Sequence, residues 1–130
     1  MKIFFLYGWI FGFGYFVTNL YWISISLTFD QSFKFLIPFT LVLIPSFLAV
    51  FYGLISYSFA VLNPKSIVSS FFVFSLIFGL IEFLRGIILT GFPWYLIVYS
   101  LSNQLEIISI TSIIGTYGLN LFCISLFTSP

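Results

Sequence analysis

The sequence carries very little charge, with four Lys or Arg and three Asp or Glu among 130 residues, or 5% of the chain. A soluble domain carries about 25% charged residues, so these few charges cannot cover the surface of a soluble globule of this size. The net charge of +1 provides no attraction for nucleic acid or for an acidic partner. The shortage of charge therefore argues against a soluble protein and against a nucleic-acid-binding protein.

Histidine is absent, and Cys123 is the one cysteine in the chain. A disulfide within the chain is therefore impossible, and we expect no metal site and no cofactor. Cys123 lies in an apolar run, without an acid or a base close in sequence that could activate it. This context favours a buried, inert thiol over a catalytic nucleophile.

Hydrophobic residues make up 62% of the chain, aromatic residues 24%, and the mean hydropathy is +1.24. A helix needs about 20 apolar residues to cross a hydrocarbon core roughly 30 Å thick, so this length holds about four spans with short turns. The apolar runs predict transmembrane helices at residues 4–27, 35–62, 67–89 and 106–127. The sequence thus predicts an all-α membrane protein with about four transmembrane helices and no soluble domain.

Glu82 and Arg85 are the two charged residues that fall well inside a predicted span. Because they are three residues apart on a helix, they share a face and can pair. A charge at the centre of a bilayer costs about 2.5–3.5 kcal/mol on insertion scales, so each needs a partner or a water-filled cavity. Two interpretations stay open from the residues alone: a structural pair near the helix end, or the polar floor of a site for an acyl chain or a lipid headgroup.

The segment Thr90–Trp94, with the sequence TGFPW, follows the third predicted span. Glycine and proline around one aromatic residue indicate a sharp, rigid turn, and a tryptophan in such a place is typical of the membrane interface. Taken alone, the segment is most simply interpreted as a turn in an aromatic belt.

Three elements of the sequence, in this order, resemble the membrane-domain signature of apolipoprotein N-acyltransferases. They are the EFLRG sequence of Glu82–Gly86, the TGFPW sequence of Thr90–Trp94, and the pair Tyr99–Ser100. Gly12–Trp22 is similar to the third membrane helix of that family, and Gly115–Asn120 is similar to the start of its sixth. The resemblance therefore covers nearly the whole chain.

The resemblance implies part of a larger polytopic bundle, a multi-pass protein of the bacterial inner membrane. It implies transfer of a fatty acyl chain from a phospholipid to the N-terminal diacylglyceryl-cysteine of an apolipoprotein. In the family, a nitrilase-like domain with a cysteine nucleophile performs this chemistry, and Cys123 does not fall at that position. We therefore expect a fragment or one part of a split protein that partners a separate catalytic domain and is inactive alone.

The resemblance implies no catalytic residue within this chain. It implies that polar, aromatic and turn residues of the signature contact the substrates. These residues are Glu82, Arg85, Gly91, Phe92, Pro93, Trp94 and Tyr99. Val98 and Leu101 stand where the family has a glycine and a glutamine around the Tyr-Ser pair, which leaves the details of that loop open.

Two other classes of function compete with this interpretation. One is a non-catalytic membrane anchor or scaffold derived from the same family, for example partnering a polyprenol-phosphate glycosyltransferase. The other is a small transporter or channel subunit, which gains little support from one ion pair and no repeated broken helices. A nitrilase-like reading frame downstream would favour the acyltransferase, and a neighbouring glycosyltransferase gene would favour the scaffold.

The basic residues leave the membrane orientation undecided. With the N-terminus inside, Lys2 and Lys65 lie on the cytoplasmic side, and Lys34 and Arg85 lie towards the other side. The positive-inside rule therefore gives a tie. The family resemblance breaks the tie and implies that both termini are cytoplasmic.

We predict that single cysteines introduced into a Cys123→Ser chain will label according to this orientation. Ser32→Cys and Ser102→Cys should react with a membrane-impermeant maleimide from the periplasmic side, and Ser66→Cys should react only after the membrane is permeabilised. Labelling of Ser66→Cys from outside, without reaction at Ser32→Cys, would overturn the assignment.

Overall fold

The computed structural model describes residues 1–89 and 95–129, apart from the Phe33 side chain. The chain divides into two compact units, Met1–Val61 and Leu62–Pro130. Every regular element among the described residues is helical, so the prediction of an all-α membrane protein is confirmed.

The first unit contains two long apolar helices, α1 (Lys2–Ser26) and α2 (Ile37–Leu62). A 3₁₀ helix, Gln31–Leu36, joins them. The carboxylate of Asp30 caps this 3₁₀ helix by accepting a hydrogen bond from the backbone N–H of Ser32 at 2.9 Å. The polar break between the first two predicted spans is thus a short capped turn.

Small residues on α1 allow its backbone to approach α2 closely. A Cβ atom added to Gly12 would lie 2.7 Å from Cβ of Tyr52 and 3.2 Å from Cα of Ala49. Gly8 likewise faces the Ser56 side chain and the backbone of α2. Next to this contact, the rings of Phe16 and Tyr52 pack edge to face with centroids 5.3 Å apart. Close packing at glycines is a common way for membrane helices to associate.

The second unit contains α3 (Ile67–Ile88), a 3₁₀ helix Ile97–Leu101, the short α4 (Leu105–Ser109) and α5 (Thr111–Phe127). Ser66 caps α3, because its hydroxyl accepts a hydrogen bond from the N–H of Ser69 at 3.1 Å. Helix α5 packs along α3, with Leu121 against Gly79 and the Tyr117 hydroxyl against Gly86.

Three helical stretches among the described residues are long and apolar enough to cross a membrane: Lys2–Ser26, Lys34–Leu62 and Ile67–Ile88. They lie within a few residues of the first three predicted spans. Large apolar side chains on their outer faces are exposed, as lipid-facing side chains are.

The stretch predicted as the fourth span differs from one straight helix. It consists of α4 and α5, and α5 itself is broken at Gly115, whose φ of 74° and ψ of 162° are not helical. The 17 residues of α5 rise about 25 Å, somewhat less than a hydrocarbon core of roughly 30 Å. A crossing by residues 106–127 stays a prediction.

We predict that Gly12→Val will destabilise the first unit and that Gly14→Val will not. Both changes place the same β-branched side chain on α1, but a Cβ at Gly14 meets nothing within 4 Å. Overpacking should cost about 1–3 kcal/mol at Gly12, whereas an open surface site changes stability by about 0.5 kcal/mol or less. Thermal unfolding in detergent measures the difference; equal melting temperatures would refute the close contact.

Candidate functional site

Three polar side chains are buried together inside the second unit. Glu82 and Arg85 come from the last two turns of α3, and Asn120 comes from the middle of α5. Each is 1% exposed. A buried charge or amide is tolerated only when its hydrogen-bonding groups are satisfied, so the contacts of these three side chains decide the local structure.

The three side chains form a continuous polar series. Nη2 of Arg85 donates to Oε1 of Glu82 at 3.4 Å, and Nδ2 of Asn120 donates to Oε2 of the same carboxylate at 2.6 Å. The backbone N–H of Val98 donates to Oδ1 of Asn120 at 3.0 Å. The series therefore joins α3, α5 and the 3₁₀ helix Ile97–Leu101.

Apolar side chains enclose the end of the series at the 3₁₀ helix. Leu96, Val98, Leu119 and Cys123 form a buried cluster, and each is 1% exposed or less. In such surroundings the local dielectric constant is low, so hydrogen bonds are strong and an unsatisfied polar group is costly. Cys123 is packed in this cluster as a free thiol, the environment in which a cysteine is inert.

Two tyrosines lie beside the polar series. The ring of Tyr117 packs edge to face on Phe83 with centroids 5.2 Å apart. Tyr99, on the 3₁₀ helix, is 37% exposed. Partial burial, and secondarily the neighbouring Tyr117, raise the pKa of Tyr99 above its ordinary value. Tyr99 therefore keeps its hydroxyl proton at neutral pH and can donate a hydrogen bond at the surface of the unit.

The structure brings together part of the set of residues predicted from the sequence. Glu82 and Arg85 pair on one helix face, as their spacing predicts, and Tyr99 lies on the 3₁₀ helix that the same polar series holds. Four other members of the set lie outside the described residues: Gly91, Phe92, Pro93 and Trp94.

Asn120 is the member of the polar series that the sequence reasoning did not single out. Its signal is an amide within the apolar run of the last segment. A polar side chain in such a run needs a partner inside the protein, but the sequence does not say which one.

The polar series of Glu82, Arg85 and Asn120 has a structural role and contains no activated nucleophile. The Glu82 carboxylate accepts from both Arg85 and Asn120, and it is buried rather than placed in an open cleft. Among the described residues, no group of three or more His, Cys, Asp or Glu could hold a metal ion. The polar series attaches the 3₁₀ helix Ile97–Leu101 to α3 and α5.

Comparison with known proteins gives a consistent result. Residues 1–127 match the family model of the apolipoprotein N-acyltransferase N-terminal domain. The apolipoprotein N-acyltransferase of Rickettsia bellii is 41% identical over 124 residues, which cover 94% of this chain and 24% of the relative. That of Rhodopseudomonas palustris is 40% identical over 126 residues, covering 95% of this chain and 23% of the relative. The chain spans about a quarter of the length of these curated relatives, and no solved structure matches it.

We predict that Glu82→Met will lower the amount and stability of the membrane-inserted protein. It leaves the Arg85 guanidinium buried without this carboxylate, and breaking a buried pair costs about 3–5 kcal/mol. The double variant Glu82→Met/Arg85→Met removes both charges at similar volume and should recover part of the loss. Immunoblots of membranes and unfolding in detergent provide the measurement.

The matched control for this prediction is Glu106→Met, which makes the same change on the exposed surface of α4. It should leave protein level and unfolding temperature unchanged. If Glu82→Met behaved like Glu106→Met, the buried pair would contribute nothing to the fold.

Proposed function

The chain belongs to the apolipoprotein N-acyltransferase family, and we propose that it is the membrane part of such an enzyme in the inner membrane of a bacterium. The whole enzyme transfers a fatty acyl chain from a phospholipid to the N-terminal diacylglyceryl-cysteine of an apolipoprotein. The observation that carries the proposal is the match of residues 1–127 to the N-terminal domain of the family. The long apolar helices support it, because a multi-pass protein suits a reaction between two lipid-anchored substrates.

These 130 residues are proposed to transfer no acyl group by themselves. Acyl transfer through a covalent intermediate needs a thiolate or hydroxyl that an adjacent base activates. Cys123 is the chain's one thiol, and it is buried with Leu96, Val98 and Leu119. The family resemblance implies the proposed partner, a nitrilase-like catalytic domain that supplies a cysteine nucleophile.

The proposed contact with the acyl donor involves the exposed Tyr99 and four residues of the TGFPW sequence, Gly91, Phe92, Pro93 and Trp94. Glu82 and Arg85 are proposed to support this surface from behind, because both are 1% exposed. A tryptophan next to a glycine–proline turn suits the glycerol and first methylenes of a lipid, where an amphipathic ring is favourable.

We predict that residues 1–127 will function in place of the matching segment of the Rickettsia bellii relative. The chimera should restore a third acyl chain on lipoproteins in a bacterium depleted of its own apolipoprotein N-acyltransferase, as mass spectrometry of lipoprotein N-termini would show. The 130-residue chain expressed alone should leave lipoproteins diacylated. If the chain alone transferred acyl groups and Cys123→Ser abolished that activity, the assignment of Cys123 as an inert thiol would be contradicted.

A chimera that inserts at normal abundance but leaves lipoproteins diacylated would reject the acyltransferase proposal. That outcome would favour the other interpretation of the family resemblance, a non-catalytic anchor or scaffold that partners a polyprenol-phosphate glycosyltransferase. The abundance measurement separates this outcome from simple misfolding of the chimera.

We predict that Trp94→Ala in the chimera will reduce formation of the acyl-enzyme by roughly tenfold, the effect of losing one well-placed substrate contact. Trp22→Ala is the matched control, because Trp22 is also expected at the end of a span and is 46% exposed. It should leave acyl-enzyme yield unchanged. Equal yields for the two variants, at equal abundance, would remove Trp94 from the substrate surface.

A further inference from the structure

We propose that Asn120 is a positioning residue that sets the register of the segment Leu96–Leu101, and that the Glu82 carboxylate decides which way its amide faces. The proposal rests on the proposed function, because this segment carries Tyr99 and follows the proposed contact residues Gly91–Trp94. The polar series has a direction, because each group orients the next, from Arg85 to the backbone of Val98.

The 3₁₀ helix Ile97–Leu101 lacks a cap of its own. The first N–H groups of any helix have no partner within it, and Leu96 at the N-cap position has no polar side chain to accept from them. The N–H of Val98 donates instead to Oδ1 of Asn120, 22 residues away, at 3.0 Å. Asn120 thus performs from α5 the task that a serine or an aspartate performs at an ordinary N-cap.

The orientation of the Asn120 amide follows from its two partners. A carboxylate can only accept hydrogen bonds, so Asn120 must direct its NH₂ group to Glu82. Its carbonyl oxygen is then left for the N–H of Val98, which can only donate. Both contacts are short, at 2.6 Å and 3.0 Å, and both would become repulsive if the amide turned over.

Arg85 completes the series at its other end. Its guanidinium, which stays charged in proteins, donates to the second oxygen of the Glu82 carboxylate. Arg85 also accepts the backbone N–H of Leu89 through its carbonyl oxygen at 3.0 Å, at the end of α3.

The register matters because neighbouring side chains of the segment differ in burial. Leu96 and Val98 are 1% and 0% exposed, while Tyr99 is 37% exposed. Releasing the N–H of Val98 would allow the segment to rotate or slide, and Tyr99 would leave the position from which it can donate to a ligand.

The test exchanges the polarity of the two side chains. In Glu82→Gln, the charged Arg85 retains the amide oxygen of the new side chain, so the new NH₂ group faces Asn120. Asn120 must then turn its own amide over and present an NH₂ group to the N–H of Val98, and the segment should loosen. In the double variant Glu82→Gln/Asn120→Asp, the new amide can donate to the new carboxylate, which can accept from Val98. The exchanged pair restores all three hydrogen bonds and keeps one negative charge within the polar series.

Release of the segment is measured by the labelling rate of Val98→Cys with a water-soluble maleimide, in the 130-residue chain carrying Cys123→Ser. Glu82→Gln, and Asn120→Leu, should each raise this rate by about tenfold, since a lost hydrogen bond to a charged or buried partner is worth roughly one factor of ten. The exchange variant should return the rate to within about threefold of the parent chain, allowing for imperfect geometry.

Ser75→Cys is the matched control, because Ser75 is 3% exposed and lies in the same unit, on α3 about two turns before Glu82. Its labelling rate should not change in any variant, which separates release of the segment from unfolding of the second unit. In the Rickettsia bellii chimera, acyl-enzyme yield should fall in Glu82→Gln and recover in the exchange variant.

The proposal is overturned if Glu82→Gln leaves Val98→Cys as slow to label as in the parent chain, or if the exchange variant labels as fast as Glu82→Gln. A chimera inactive in every form would reject the proposed function and leave the labelling result standing. Normal acyl-enzyme yield in a Glu82→Gln variant that labels quickly would show that the register has no part in the reaction.

Discussion

The Glu82 carboxylate is the group around which the second unit is arranged. A carboxylate that is 1% exposed needs hydrogen-bond donors around it, because a buried charge is costly unless it is paired and hydrogen-bonded. Arg85 supplies one from the same helix and Asn120 supplies the other from α5. With its NH₂ group donating to Glu82, Asn120 accepts the backbone N–H of Val98 through its oxygen, which attaches the segment after residue 94.

A buried ion pair of this kind contributes more to specificity than to stability. Well-packed apolar side chains of equal volume often stabilise a protein as much or more, because desolvating two charges is costly. What apolar packing does not supply is direction, since any apolar side chain can contact any other. Hydrogen bonds with fixed donors and acceptors select one register of the segment and reject those shifted by a residue. This property suits a segment in which buried and exposed side chains alternate, as Val98 and Tyr99 do.

The first unit is stabilised by close packing of two helices and, among its described residues, not by buried polar groups. Gly8 and Gly12 remove side-chain volume between α1 and α2, and the rings of Phe16 and Tyr52 fill the space beside them. The hydrophobic effect provides little attraction between helices in a membrane. The attraction between α1 and α2 therefore comes from this close van der Waals contact. The first unit is thus stabilised by complementary shape, and the second unit by oriented polar groups.

The sequence by itself determined the class of the protein, its first three long helices and its family. Seven charges in 130 residues leave no alternative to a membrane protein, and the motifs around Glu82 and Trp94 indicated a family that residues 1–127 match. The pairing of Glu82 with Arg85 was also predictable, because three residues along a helix is local geometry. Only the tertiary structure decided the break of α5 at Gly115 and the contact of Asn120 with Val98. The contact depends on where α5 meets its neighbours, and contacts between residues far apart in the chain leave no local period in the sequence. Glycine permits the φ of 74° at position 115, but a glycine alone does not predict that a helix breaks there.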